Sequence, residues 1–143
     1  TIMIERILLP TDGSEHSEKT VRYALDFARL HNAEVVVVYV YSPSGMGWRR
    51  GAAMLESVRQ SLEEEGHEIV GEVAQRVQKM GLRCSALVIE GSPAEGILKA
   101  IDEDVPDLVI MGSRGSGGFA GLSLGSVAET VVRHSAVPVL VVK

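Results

Sequence analysis

Short apolar runs alternate with helix-spaced apolar stripes from one end of the chain to the other. Residues 6–9 (RILL) form an apolar run closed by Pro10, the pattern of a strand buried on both faces. After a turn at residues 11–14 (TDGS), Val21, Ala24, Leu25 and Ala28 recur at helical spacing, and Asn32 follows as a stop signal. Residues 34–41 (EVVVVYVY) are dense in β-branched side chains and predict a second strand, while SPSGMGWRRG after them has the content of a loop. Leu55, Val58, Leu62, Ile69, Val73, Val77 and Met80 then mark one face of a long helix, in which Gly66 and Gly71 each cost about 1 kcal/mol against Ala.

Residues 83–90 (RCSALVIE) read as a third strand. Ser92-Pro93-Ala94-Glu95 supplies a full helix start: Ser92 as cap, Pro93 at the first helical position, and Glu95 where a capping box places its carboxylate. Ile97, Leu98 and Ile101 give that helix its apolar face. Residues 107–111 (DLVIM) predict strand four, a glycine-dense stretch follows, Ala128, Val131 and Val132 mark a last helix, and residues 138–142 (PVLVV) a fifth strand. Strands apolar on both faces and alternating with helices predict an α/β fold, a parallel sheet covered by helices on both sides. Right-handed crossovers put every strand-to-helix loop at one edge of such a sheet, and ligands bind there where the strand order reverses. The loops after strands one and four are the richest candidates.

Composition fits this picture. The 143 residues suit one compact domain spanning residues 1–143, with 45% hydrophobic and 23% charged residues, and residues 42–52 are too short a break to separate two domains. A formal charge of −5 offers no field for a nucleic-acid backbone or an anionic membrane. No apolar stretch has the length of a membrane helix, and TIMIERILLP lacks a signal-peptide pattern, so the expected location is cytoplasmic. The single cysteine, Cys84, lies in an apolar run and reads as a small core residue rather than a nucleophile. His16, His31, His67 and His134 show no metal-ligand spacing, so no protein-built metal site is expected.

The glycine stretch carries the candidate chemistry. A P-loop requires Gly-Lys followed by Ser or Thr, and the chain has no Gly-Lys pair. Residues 115–120 (GSGGFA) match a dinucleotide fingerprint, but that pattern belongs after the first strand with an acid about twenty residues on, and here the next strand ends PVLVVK. A wider spacing fits better: Gly112 and Gly115 at the end of strand four, nine residues, then Gly125-Ser126 opening the last helix. Bare glycine backbone admits a polyphosphate closely, and a helix start offers unpaired N–H donors and the positive end of a dipole.

This G-x-x-G-x9-G-[S/T] spacing resembles that of the ATP-binding members of the universal stress protein family. The resemblance runs the length of the chain, through ILLPTDGSEHS, VVVVYVY, EGSPAEGIL, DLVIMGSRGSGG and VAETVVRHSAVPVLVVK. It implies an open, Rossmann-like five-stranded parallel sheet of order 3-2-1-4-5, reversing between strands one and four. It also implies that Pro10, Thr11, Asp12 and Val40 surround adenine and ribose, that Met111 lines the base pocket, and that Gly112, Gly115, Gly125 and Ser126 hold ribose and phosphates. The Gly117-Gly118 pair departs from the pattern and is expected to make the loop looser than the pattern requires.

Plainer readings stand beside these. Asp12, with Glu15 three residues on, suits a capping box; Gly112 and Gly115 suit a turn; Gly125-Ser126 suits an ordinary helix start; Arg114 suits either a phosphate or solvent. The implied function is an ATP-binding stress-response protein, with Mg2+ arriving on the nucleotide, in which bound ATP alters the choice of a protein partner. It carries no assigned catalytic residue and at most slow hydrolysis. The alternatives are a nucleotide hydrolase or adenylyl-transferring enzyme on the same architecture and a phospho-receiver using Asp12 and Lys143, although Glu90 stands where a receiver needs aspartate. The apolar last strand, implied to lie at a sheet edge, predicts a homodimer.

Overall fold

A computed structural model of the chain describes residues 1–43, 51–114 and 124–143. Five strands, β1 (Arg6–Pro10), β2 (Glu34–Tyr41), β3 (Cys84–Glu90), β4 (Leu108–Gly112) and β5 (Val139–Val142), alternate with α1 (Glu15–His31), α2 (Ala52–Lys79), α3 (Pro93–Asp104) and α4 (Ser126–His134). The strands form one sheet of order β3-β2-β1-β4-β5, every neighbouring pair parallel. The strand order reverses between β1 and β4, as the resemblance implies.

Period-two alternation divides each strand between two cores. Ile7, Leu9, Val35, Val37, Leu108 and Ile110 pack against α1 and α2, which contribute Val21, Ala24, Leu25, Val70, Val73 and Val77. Leu8, Val36, Val38, Val109 and Met111 pack on the opposite side against Ile97, Ala100 and Ile101 of α3 and Ala128 and Val131 of α4. A central strand clad on both sides needs apolar residues at successive positions, which is why RILL and EVVVVYVY read as continuous runs.

Local details depart from the expected pattern. β3 begins at Cys84 rather than Arg83 and has half-buried and exposed positions but no fully buried one, because a strand paired on one side only lies partly beyond the helical layers. Val132 of the last helix's expected apolar face is exposed, since α4 rests on α3 and β5 through Ala128 and Val131. Ser92 is the N-cap of α3 with Pro93 at the start, but its hydroxyl makes no capping hydrogen bond, so the expected capping box does not form. Asn32 does end α1, in the left-handed conformation at φ 53°.

Gly66, costly to a helix in isolation, is required by packing. A Cβ there would stand 2.5 Å from the Tyr39 ring and 2.9 Å from Val88, so the glycine lets α2 press onto β2 and β3. At the amino edge of the sheet, the Asp107 carboxylate accepts hydrogen bonds from the backbone N–H groups of Glu5 and Arg6 at 2.8 and 3.0 Å. The Arg6 guanidinium donates to the Asp104 carbonyl at 2.6 Å and pairs with Glu34 at 3.4 Å.

Candidate functional site

The reversal of strand order brings two loops to the carboxyl edge, one after β1 and one after β4. The Thr11 N–H donates to the Val38 carbonyl at 2.9 Å, carrying the ladder one residue beyond Pro10. The chain then turns through Gly13 at φ 75°, where glycine is favoured, and Asp12 Oδ1 accepts the Ser14 N–H at 2.9 Å. Asp12 therefore builds the turn that precedes α1. The N-cap is Ser14, and the capping box of Asp12 with Glu15 is replaced by this Asx-type turn. Ile69 of α2 fills the space at Gly13: an added Cβ would stand 2.6 Å from its terminal carbon.

The second loop leaves β4 at Gly112. Ser113 is buried and its N–H donates to the Val142 carbonyl at 2.8 Å. Its own carbonyl accepts the Gly125 N–H at 2.6 Å, so both ends of the long connection are tied together at the sheet edge. A Cβ at Gly125 would lie 2.9 Å from that carbonyl oxygen, which requires glycine on steric grounds at an ordinary extended φ of −75°. Gly125 is the N-cap of α4, and the exposed Ser126 is its first residue. Gly115 and the Gly117-Gly118 pair lie outside the described residues.

The remaining candidates share one side of the sheet. Val40 follows Val36 and Val38 on the α3/α4 face, and Met111 follows Val109 there, 4% exposed. Gly96 lets α3 approach Val40 closely, since a Cβ would meet the valine methyls at 2.8 and 2.9 Å. Pro10, in phase with Leu8, ends β1 between these strands. The sequence reading missed three contributors. Gly13 and Gly96 are visible as glycines but not as close approaches, while nothing in the sequence marks Ser113 as the residue that ties the connection closed.

A cavity of about 360 Å3 opens on the opposite, α1/α2 side, where Thr11, Gly13, Ser17, Val21, Ile69 and Arg76 contribute to its wall. It touches the β1 loop, yet the bidentate pairing of Arg76 with Glu18 at 3.0 Å already engages its guanidinium. Burial, with Glu65 and Asp12 adding to it, holds the Tyr39 phenol above its ordinary range and hence neutral. Cys84 lies away from the carboxyl edge, and burial, reinforced by Glu34, pushes its thiol up to about 11. That is the signature of an inert thiol rather than a nucleophile. Glu90, at the receiver position, pairs with Arg59 at 3.1 Å. Among the described residues, no three His, Cys, Asp or Glu side chains are grouped to hold a metal ion, and no helix is long and apolar enough to cross a membrane.

The comparisons with known proteins agree with this geometry. A universal stress protein of Methanocaldococcus jannaschii, MJ0531, is 33% identical over 141 residues, covering 99% of this chain and 83% of the relative. Among solved structures, that of MJ0577 superposes with a TM-score of 0.89 at 30% identity, covering 99% of this chain and 97% of the other. A universal stress protein solved in complex with cAMP superposes at a TM-score of 0.70 with 26% identity, over 98% and 97% of the two chains. The model of the universal stress protein family matches residues 3–143, and with the sheet order and paired loops in place the chain belongs to that family.

Proposed function

We propose that the chain binds an adenine nucleotide, ATP accompanied by Mg2+, at the carboxyl edge of its sheet and acts as a nucleotide-dependent switch or sensor in the stress response. One observation carries the reading: β1 and β4 are neighbours where the strand order reverses, so the loop that begins at Thr11 and the loop after β4, whose Ser113 carbonyl holds the start of α4, leave the same edge, with Val40 and Met111 on the α3/α4 face. The cAMP held by a structural neighbour supplies the same adenine and ribose. In this reading Pro10, Thr11, Asp12, Val40 and Met111 receive the base and ribose, and Gly112, Gly125 and Ser126 the ribose and phosphates.

The donor chemistry fits an anion. The amides of Ser126, Val127 and Ala128 have no acceptor four residues back within α4, and the partial positive charge of the helix start faces the edge. Gly125 places no side chain before them. Mg2+ bound with the nucleotide would be held mostly by phosphate and water oxygens and would neutralise phosphate charge. The chain has no Gly-Lys pair and no lysine between Gly112 and Ser126 to follow charge onto a leaving phosphate, which favours binding with at most slow hydrolysis over phosphoryl transfer. The same reading takes residues 1–143 as one nucleotide-binding unit in the cytoplasm. It pairs two copies through β5, an edge strand with half-buried Val139, Leu140 and Val141.

Calorimetric titration of nucleotide-stripped protein with magnesium ATP tests the proposal. Saturable binding is expected, lost in Gly125→Asp. Because that variant also crowds the Ser113 carbonyl, Ser126→Asp is measured beside it, where the new charge is exposed and the helix start is left intact. Absence of binding at millimolar nucleotide rejects the reading, and many turnovers of ATP during the titration would favour the hydrolase alternative.

A further inference from the structure

Two helical hydroxyls return to their own backbone: Ser17 donates to the Ser14 carbonyl at 2.6 Å and Thr130 to the Ser126 carbonyl at 2.9 Å. Thr20 does not. It is 2% exposed, in the second turn of α1, and its hydroxyl has no hydrogen-bond partner. A buried hydroxyl left unpaired is destabilising, so its persistence requires a reason.

Its position supplies one. Thr20 Oγ1 lies 3.1 Å from the point where a Gly112 Cβ would stand, and the Arg114 carbonyl oxygen lies 3.3 Å from that same point. The missing side chain of Gly112 thus lets a donor without an acceptor and a carbonyl just past the end of β4 both close in on one point, nearer than a Cβ there would allow. α1 is also the element that follows the Thr11–Gly13 turn. A ligand bridging the two loops at the sheet edge would draw the end of β4 towards the helix that carries Thr20.

We propose that Thr20 is a positioning residue for the Gly112–Arg114 turn, its hydroxyl donating across Gly112 to the Arg114 carbonyl in the nucleotide-bound state. This rests on the nucleotide reading above and deepens it. The bond is made in the bound state and not in the free one, so it adds to affinity, since a ligand shifts an equilibrium only through interactions that differ between the two states.

Thr20→Val and Thr20→Ser separate this role from packing. Valine keeps the shape and β-branching of threonine and removes the hydroxyl, whereas serine keeps the hydroxyl. In the stripped protein, Thr20→Val is expected to raise the melting midpoint by about 2–4 °C, because the unpaired group is gone. Its dissociation constant for magnesium ATP is expected to rise about fivefold to tenfold, the loss of one hydrogen bond. Thr20→Ser is expected to bind as the unaltered protein does. A purely structural Thr20 would move the midpoints and leave all three affinities equal, which overturns the proposal. A lower midpoint in unliganded Thr20→Val would show the hydroxyl to be satisfied already and overturns it as well. If the unaltered protein binds no nucleotide, the functional reading itself falls and this role with it; if it binds and the valine variant binds equally, only the role of Thr20 falls.

Discussion

The two ends of the sheet are built on opposite principles. At the amino edge, charge closes the backbone: Asp107 caps the N–H groups of Glu5 and Arg6, and Arg6 reaches the Asp104 carbonyl and the Glu34 carboxylate. At the carboxyl edge the backbone is closed by backbone, through the Ser113–Gly125 hydrogen bond, and glycines at 13, 96, 112 and 125 keep side chains out of the way. Two buried hydroxyls without partners, those of Ser14 at the N-cap and Thr20 in the second turn, lie at the start of α1, which rises from that edge. One end engages the side chains of Asp107, Arg6 and Glu34 and serves stability, while the other keeps two hydroxyls and the first amides of α4 without helical partners and is the end proposed to receive a ligand.

Substitutions at the two ends are therefore expected to divide between affinity and stability. The largest effect is on affinity: Ser126→Asp adds a negative charge at the phosphate end of the site and is expected to weaken magnesium ATP binding by about 30- to 100-fold. Its melting midpoint is expected to hold or rise slightly, because an acid suits the first turn of a helix; calorimetry and thermal melting check both. Gly13→Ala forces alanine into φ 75° and sets its methyl against Ile69, with an expected loss of about 2 kcal/mol in urea unfolding and weaker nucleotide binding. Asp107→Ala should cost about 1–2 kcal/mol by the same unfolding measurement and leave nucleotide affinity unchanged. A fall in affinity as large as that of Ser126→Asp would erase the distinction between the two ends.

The smallest effect concerns Cys84, the first residue of β3, at the amino edge. Its folded thiol is pushed above its ordinary value of 9.0 to about 11, so the native state holds the proton more tightly than the unfolded chain does. Its contribution to stability is present below about pH 9 and is lost as pH rises towards 11. Cys84→Ala should flatten that alkaline decline, and thiol labelling of the folded protein should be slow at pH 8 and accelerate towards pH 11.

The fold was legible because the chemistry that makes each element is local. Residues 6–9 and 34–41 carry the continuous apolar pattern of strands clad on both sides, and Asn32 stops α1 in the left-handed conformation that asparagine tolerates. The pairing order came from the family resemblance, because periodicity says nothing about which strands are neighbours. Edge effects were not legible: residues 83–90 read as apolar on both sides, yet β3 lies half open since no strand covers its outer side. Gly66 shows the same limit in reverse, a poor helix residue by propensity and a necessary one beside Tyr39. At the candidate site, spacing singles out Gly112, Gly115 and Gly125, whereas Gly13, Gly96, Ser113 and Thr20 enter through distances that only the folded chain defines.

The most direct test of the account is a 1H–15N spectrum of the nucleotide-stripped, isotope-labelled protein recorded through a titration with magnesium ATP. The account predicts shifts at Thr11, Asp12, Gly13, Val40, Met111, Gly112, Gly125 and Ser126, with Glu5, Arg6 and Asp107 at the amino edge unmoved. Shifts confined to Ser17, Ile69 and Arg76 in the α1/α2 cavity, or no shifts at millimolar nucleotide, would contradict it.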